Sequence, residues 1–267
     1  MRGSRVVVYT AVFGGYEKPA EQPIAKNFPD VRFIFFTDDP TLKSESWDVV
    51  LVEPSIPWDA ARSVRELKIV GHPSLDEFDV SIWIDNRIQL QADPQLMAET
   101  WLGKHEMAMA LHSWRMTVRD EFSAVLADSL DDPGRVREQL NFLSKWSPET
   151  LTSHPLWGAI IVRRPTAPVR KAMRYWMDQV LRHSRRDQLS LMYALGRARV
   201  DVNRIAIDNH SSSWHTWISV DTLPKDKKMV YSSGYRYSIL VHVYDRVASS
   251  RVARGVRRVV RSRRVKR

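Results

Sequence analysis

The sequence contains no cysteine, and this absence excludes two kinds of structure. A disulfide framework cannot form, and no metal can be held by thiolates. Long apolar runs are absent as well, since none approaches the roughly 20 residues that a membrane-spanning helix requires. Neither a Gly-x-Gly-x-x-Gly motif nor a P-loop occurs, which argues against the dinucleotide and ATP binding modes that those motifs serve.

An excess of charge is absent from most of the chain, although the formal net charge is +10. Of the 41 basic residues, ten lie in residues 246–267, which contain no Asp or Glu. The other 31 basic residues are balanced by 31 acidic residues in 1–245. We therefore expect one domain over residues 1–245 and a basic tail over residues 246–267. A body with balanced charge argues against a nucleic-acid partner.

Short apolar runs alternate with helical patterns, which indicates an α/β fold with a mostly parallel central sheet flanked by helices. The predicted strands cover residues 5–13, 31–36, 47–53, 80–84, 106–113, 156–162 and 200–207. The predicted helices cover residues 58–70, a stretch that starts at 93–94, residues 118–146 with a break at 133–134, residues 166–183, and a stretch that starts at 185–188.

Asp85 is the residue around which the other candidates are arranged, because it ends a β-branched and aromatic run typical of a strand buried on both faces. Open α/β sheets bind ligands at the carboxyl ends of their strands. The first strand ends in the tight Gly14-Gly15 loop, and the second ends at Asp38, as in a nucleotide pocket. The alternative for Asp85 is a carboxylate that only caps a turn.

A basic helix precedes the Asp85 strand and presents Arg62, Arg65 and Lys68. Arg65 and Lys68 are three residues apart and lie on one face, where they could meet a diphosphate or simply be solvated. Asp187 opens a later helix beside Gln188. An Asp in that position is either a helix cap or, with the neighbouring amide, a group suited to a developing positive charge.

Five segments occur in an order that resembles a known family. They are YTAVFGGY (9–16), FFTD (35–38), the basic helix, WIDNRIQL (83–90) and RDQLS (186–190). Together they resemble the glycosyltransferase-like domain family that includes plant proteins linked to mucilage and pectin synthesis and many bacterial members. The resemblance covers roughly residues 5 to 215. That family is similar to GT-A nucleotide-sugar transferases such as glycogenin, so the resemblance implies a GT-A-like, Rossmann-like domain.

The resemblance implies transfer of a sugar from a nucleotide-diphosphate donor, a UDP-sugar above all, to a glycan or lipid-linked glycan acceptor in bacterial surface polysaccharide assembly. Asp187 and Gln188 correspond to the pair at the reaction centre. The implied donor-binding residues are Thr10, Phe13, Gly14, Gly15, Tyr16, Asp38, Arg62, Arg65, Lys68, Asp85 and Arg87. The implied acceptor-binding residues are His112, His154, Trp157 and Trp214, although each of these can also be structural.

The resemblance also implies a divalent metal, Mn²⁺ or Mg²⁺, with Asp85 and the late His210 as its ligands. Related enzymes hold the metal with a D-x-D motif, but Arg87 stands where the second carboxylate belongs. Because a guanidinium can bind phosphate directly, we hypothesise that metal dependence is weak or absent. The incomplete motif leaves a second function open, that of a non-catalytic nucleotide-sugar or carbohydrate-binding protein with a GT-A shape.

The tail places valines at helical spacing among arginines. Such a segment suits an anionic membrane surface, and the alternatives are a disordered solubilising tail or a nucleic-acid contact. The plant members carry an amino-terminal anchor that does not appear here. We therefore expect a cytoplasmic protein attached peripherally to the inner face of the membrane.

Overall fold

A seven-stranded sheet forms the centre of the computed structural model, which describes residues 4–219. The strands are β1 (Val6–Val12), β2 (Arg32–Thr37), β3 (Asp48–Leu51), β4 (Val80–Ile84), β5 (Ile88–Leu90), β6 (Met107–Leu111), β7 (Leu156–Arg163), β8 (Val202–Ile205) and β9 (His215–Trp217). The helices are α1 (Ala60–Ile69), α2 (Pro94–Leu102), α3 (Val118–Ala127), α4 (Pro133–Trp146), α5 (Ala167–Arg182) and α6 (Gln188–Ala198). The predicted tail, residues 246–267, lies outside the described residues, as do residues 220–245 of the predicted domain.

The strand order in the large sheet is β3-β2-β1-β4-β7-β6-β8. Every neighbouring pair is parallel except the two pairs that β7 makes, with β4 and with β6. The predicted α/β class with a mostly parallel sheet is therefore confirmed. The sequence patterns did not predict the second, two-stranded sheet, in which β5 pairs with β9.

Helices cover both faces of the sheet, which explains why every residue of β1 is buried. On one face, Val7, Tyr9 and Ala11 pack with apolar residues of α1, α5 and α6. On the other face, Val6 and Val8 pack with apolar residues of α2. None of the helices in the described range combines the length and apolarity needed to cross a bilayer.

The chain order creates a crevice at the carboxyl end of β1. From β1 the chain runs outward through β2 and β3, and it then returns to place β4 on the other side of β1. Connections that leave a strand in opposite directions open a crevice at its carboxyl end, where such sheets bind ligands. The Gly14-Gly15 loop and Asp85 directly follow β1 and β4, so both lie at this edge.

Arg163, the last residue of β7, is 5% exposed and ties α1 to the sheet. Its guanidinium donates to the carbonyls of Ile69, at 2.6 Å, and Lys68, at 3.0 Å, near the end of α1. It also donates to the hydroxyl of Tyr9 in β1. These acceptors are buried, so losing their charged donor would leave them poorly satisfied.

We predict that the Arg163→Met variant loses about 3 kcal/mol of unfolding free energy, because hydrogen bonds from a charged donor to buried acceptors are removed. Urea denaturation followed by tryptophan fluorescence measures the loss. Arg170→Met is the matched control, since Arg170 pairs with Asp76 at the surface and such pairs contribute about 1 kcal/mol or less. Equal losses in the two variants would contradict the structural role of Arg163.

Candidate active site

Asp85 directs its carboxylate to two side chains at the carboxyl edge of the sheet. Its Oδ1 accepts hydrogen bonds from Nε1 of Trp83, at 2.8 Å, and from Nζ of Lys68, at 3.2 Å. Its own N–H donates to the carbonyl of Ala159 in β7, at 2.8 Å. The Asp85 side chain keeps 33% of its surface exposed. The carboxylate therefore pairs with a cation at the carboxyl edge of the sheet. A carboxylate that only caps a turn would not need this cation.

Asp187 immediately precedes α6, but its side chain makes no capping hydrogen bond. Its Oδ2 lies 2.7 Å from Nζ of Lys68, and its Oδ1 lies 3.3 Å from Nε of Arg65. The carbonyl of Asp187 accepts a hydrogen bond from Nε1 of Trp176 at 2.7 Å, which fixes the residue against α5. The helix-cap alternative therefore does not account for this carboxylate.

Lys68 is the residue that joins the two carboxylates. Its side chain is 3% exposed, and its ammonium contacts both Asp85 and Asp187. Gly158 in β7 makes room for it, because a Cβ at that position would lie 3.2 Å from Nζ. Two acidic residues far apart in the chain thus converge on one buried cation.

The electrostatic surroundings keep Asp187 ionised. Burial alone would raise the pKa of its carboxyl, but the positive charges of Arg65, Lys68 and Arg186 outweigh burial and hold that pKa well below its usual value.

The Gly14-Gly15 loop has the backbone conformation that favours glycine, with φ of 69° and 56°. Both carboxylate oxygens of Asp38 accept from the N–H of Gly14, at 2.9 and 3.0 Å, so Asp38 fixes the loop. Tyr16 is half exposed, but its hydroxyl end is desolvated. This desolvation, with the nearby charge of Glu17, raises the pKa of Tyr16 to about 12.

Arg87 binds Glu17, a residue that the sequence patterns did not single out. Nε and Nη2 of Arg87 donate to Oε1 of Glu17, at 2.9 and 2.6 Å. Asn86 donates to the other oxygen of Glu17, at 3.2 Å, and to the carbonyl of Lys18, at 2.8 Å. The guanidinium expected to face phosphate is thus engaged by a carboxylate that is 5% exposed. Only the position of Glu17 directly after the glycine loop could have drawn attention to it.

Three other residues predicted to bind the sugar donor are buried or engaged within the protein. Arg62 donates to the carbonyls of Val180 and His183 and pairs with Asp59, so it ties α1 to the end of α5. Phe13 lies in the core, and Thr10 is buried in β1 with a hydroxyl that has no hydrogen-bond partner in the described part of the chain. Their donor-binding roles stay predictions.

The predicted acceptor residues His112 and His154 lie together, since Nε2 of His154 is 2.9 Å from the carbonyl of His112. His112 also lies 4.0 Å from Glu121, a buried carboxylate that sequence reasoning missed and that Arg115 contacts at 3.2 Å. Burial, with the charges of Arg115 and His154, lowers the pKa of His112 to about 4. Burial also raises the pKa of Glu121, although Arg186 and Arg115 oppose the shift.

The other two predicted acceptor residues are packed against neighbours. Trp157 is 5% exposed, and its ring packs at a tilt against the rings of His215 and Trp217. Trp214 packs edge-on against Trp101. Trp114, which follows His112 by two residues, is instead 59% exposed, so it presents an aromatic face that the sequence patterns did not distinguish.

Gln188 places a buried amide nitrogen next to Asp187, and within the described range this nitrogen has no hydrogen-bond partner. A buried donor without a protein acceptor is what a ligand-binding amide requires.

The predicted metal ligands do not form a donor set that fits Mn²⁺ or Mg²⁺. Between residues 4 and 219, no group of three or more His, Asp or Glu side chains is placed to hold a metal. Asp85 meets the ammonium of Lys68, and His210 is exposed on the loop before β9. Divalent cations of this kind need several oxygen ligands. The assignment of Asp85 and His210 as metal ligands stays a prediction.

Comparison with known proteins supplies a family and two similar proteins. The profile of the TOD1/MUCI70, glycosyltransferase-like domain matches residues 1–212. The probable hexosyltransferase MUCI70 of Arabidopsis thaliana is 29% identical over 210 residues, in an alignment that covers 69% of this chain and 36% of the plant protein. The chain thus spans about a third of the length of this curated relative.

A crystal structure of core-mannan synthase A (CmsA/Ktr4) from Aspergillus fumigatus, in a Mn/GDP form, aligns with a TM-score of 0.43 and 9% identity. That alignment covers 72% of this chain and 70% of the fungal chain. The family assignment rests on the profile, which covers most of the sequence and includes all five segments that carried the resemblance. The protein belongs to the TOD1/MUCI70 glycosyltransferase-like domain family.

Proposed function

We propose that this protein is a hexosyltransferase that moves a sugar from a nucleotide-diphosphate donor, above all a UDP-sugar, to a hydroxyl of a glycan or lipid-linked glycan. One observation carries the proposal. Asp85, at the end of β4, and Asp187, at the start of α6, converge on Lys68 at the edge of the sheet where ligands bind. The family to which the chain belongs supports the same activity. For the biological setting we propose bacterial surface polysaccharide assembly.

The reaction is a displacement at an anomeric carbon through a transition state that resembles an oxocarbenium ion. A transferase must stabilise negative charge on the departing diphosphate and positive charge on the sugar. Lys68 and Arg65 suit the first task, because both carry positive charge and their contacts with Asp85 and Asp187 fix them at the site. Asp187 suits the second task, and the unpartnered amide nitrogen of Gln188 suits a hydrogen bond to a hydroxyl oxygen of the sugar.

The ionisation of Asp187 favours an electrostatic role for it over a role as general base. An efficient general base has a pKa near the working pH. Arg65, Lys68 and Arg186 keep the pKa of Asp187 far below that range despite its burial. A carboxylate that stays negative can stabilise a cationic sugar without accepting a proton.

The acceptor side of the site is proposed to include His112, Glu121 and Trp114. Nδ1 of His112 accepts a hydrogen bond from the backbone N–H of Trp114 at 3.2 Å, and the exposed indole packs edge-on against the imidazole with ring centres 5.7 Å apart. Glu121, with a raised pKa and a position 4.0 Å from His112, is a better candidate than Asp187 for exchanging a proton.

A second function, a nucleotide-sugar-binding protein without turnover, is favoured by one observation: Arg87 replaces the second D-x-D carboxylate and is bound by Glu17. A thermal-shift panel of nucleotides and sugar nucleotides, followed by an assay of UDP release from UDP-hexoses, separates the possibilities. A transferase releases UDP, whereas a binder gains stability of about 2.7 kcal/mol at a ligand concentration one hundred times its Kd and releases none. If the panel shows no stabilisation and the assay shows no UDP release, both proposed functions are wrong.

We predict that the Asp187→Asn variant loses on the order of 10² in kcat, because a fixed negative charge beside the reacting sugar is removed. UDP release measures the change. The control is Asp178→Asn, which removes an exposed carboxylate from α5 and should leave kcat unchanged.

The pH profile of the wild type tests the electrostatic role of Asp187 separately. Because the pKa of Asp187 is lowered, protonation of this residue should not reduce kcat/KM at any pH above about 4, the ordinary pKa of aspartate. A general base would instead give a fall in kcat/KM below about pH 6–7. If such a fall is seen and Asp187→Asn abolishes it, Asp187 acts as a base.

The lowered pKa of His112 makes stability depend on pH. With a pKa of about 4 when folded and about 6.5 when unfolded, the unfolded state binds more protons between these values, so stability falls as the pH drops through this window. We predict that His112→Asn, which keeps an acceptor for the Trp114 N–H, flattens this dependence by at most about 3 kcal/mol. Denaturation at pH 7.5 and pH 4.5 measures it, and parallel curves for variant and wild type would refute the prediction.

We also propose that the basic tail attaches the enzyme to the inner face of the cytoplasmic membrane. This proposal rests on sequence alone, because residues 246–267 lie outside the described part. Truncation after Asp245 should abolish binding to anionic vesicles in sedimentation assays while UDP release persists, since each basic residue near the lipid contributes about 1 kcal/mol. Vesicle binding that survives truncation would remove the tail from this role.

A further inference from the structure

We propose that Lys68 is a built-in cation that takes, between Asp85 and Asp187, the place of a divalent metal, so that a nucleoside diphosphate binds this protein without a metal ion. The identity of the ligand rests on the proposed function. The occupation of the carboxylate pair by an ammonium does not rest on it.

Lys68 already fills the space between the two carboxylates. Nζ of Lys68 lies 2.7 Å from Oδ2 of Asp187 and 3.2 Å from Oδ1 of Asp85. Mg²⁺ and similar ions approach carboxylate oxygens to about 2.1 Å and need near-octahedral surroundings. An ion bridging these two oxygens would therefore lie against a positive charge that is 3% exposed and cannot be screened by water.

The fold holds Lys68 in place. Its carbonyl accepts from Arg163 at 3.0 Å and from the hydroxyl of Tyr9 at 3.3 Å, so the backbone of this turn of α1 is fixed to the core. At the other end of the side chain, Nζ lies 5.9 Å from the ring centre of Trp83 and in the space left by Gly158. Withdrawing Lys68 would leave Asp187, which is 7% exposed, with less compensation for its charge.

The ammonium of Lys68 has a hydrogen to offer a ligand. A lysine ammonium has three donors, of which one is hydrogen-bonded to Asp85, while Oδ2 of Asp187 lies 2.7 Å away as an ion-pair partner. In the described range no third acceptor is bonded to Nζ, so one donor remains for a phosphate oxygen. Arg65, on the same face of α1, adds a second positive charge 3.3 Å from Asp187.

The cation that would make metal dependence weak is therefore Lys68, and not Arg87 as the sequence suggested. Arg87 occupies the D-x-D position in sequence, but two of its nitrogens donate to Glu17. The cation that meets Asp85 comes from α1 and not from the motif itself.

The test measures metal and nucleotide binding separately. Mn²⁺ binding is followed by electron paramagnetic resonance for the full chain, with and without UDP, and UDP binding is followed by calorimetry in EDTA and in Mn²⁺. The wild type should bind no Mn²⁺ at this site, and its UDP affinity should change less than about twofold between the two buffers, well under the tenfold that corresponds to 1.4 kcal/mol.

The Lys68→Met variant keeps the length of the side chain but removes its charge, leaving two carboxylates without their shared cation. It should gain Mn²⁺ affinity by at least about tenfold, and the added substitution Asp85→Asn should abolish the gain. Lys171→Met, at an exposed site on α5, is the matched control and should gain nothing. Should Lys68→Met fail to fold, the wild-type measurements decide alone.

Stoichiometric Mn²⁺ binding by the wild type that Asp85→Asn abolishes, or UDP binding only when Mn²⁺ is present, would overturn the proposal. Absence of UDP binding in both buffers would overturn the proposed function instead, while the Mn²⁺ measurements on wild type and Lys68→Met would still decide the role of Lys68.

Discussion

The buried ammonium of Lys68, held between Asp85 and Asp187, is the interaction on which the rest of the site depends. Two carboxylates this close to one another would repel, and one of them would take up a proton. Arg65 and the shared cation Lys68, with Arg186, instead keep the pKa of Asp187 low in a place where burial alone would raise it. The site therefore stores a fixed charge distribution, which is the property that stabilises developing charge without rearrangement.

The scaffold around Lys68 explains why a charged side chain can lie so deep. Arg163 from β7 and Tyr9 from β1 both bind the Lys68 carbonyl, and Gly158 from β7 provides the space for its ammonium. The one antiparallel strand of the large sheet thus supplies both the anchor and the gap. Its neighbour β4 ends at Asp85, so this pair of strands positions one of the two carboxylates as well as the anchor and the space for Lys68.

Hydrophobic periodicity was sufficient to predict the sheet, the helices and the position of Asp85, because buried strands end abruptly where polar residues begin. It could not predict β5 and β9, which are three residues each and too short to show a period. Trp157 illustrates a different limit. It lies in a strand with every residue buried, which leaves no open ring face, whereas the exposed Trp114 belongs to a loop without any repeating pattern.

The pairing of charges could not be predicted from the sequence either. Arg87 follows Asp85 by two residues in the sequence, but it binds Glu17, and the cation that pairs with Asp85 is Lys68 of α1. Likewise, a helix-initial Asp is ordinarily a cap, but the Asp187 carboxylate makes no capping bond and instead pairs with Arg65 and Lys68 of α1. Such choices arise from tertiary geometry and leave no local signature.

The contacts of Glu17 have a consequence for how a ligand enters. Asp38 holds the loop at Gly14, and Arg87 and Asn86 hold it at Glu17, so the segment is fastened at two points before any ligand arrives. Ordering a free loop would consume part of the energy gained on binding. Here the walls of the cleft are already set, and the incoming molecule has to shed its own water and flexibility but does not have to organise the protein.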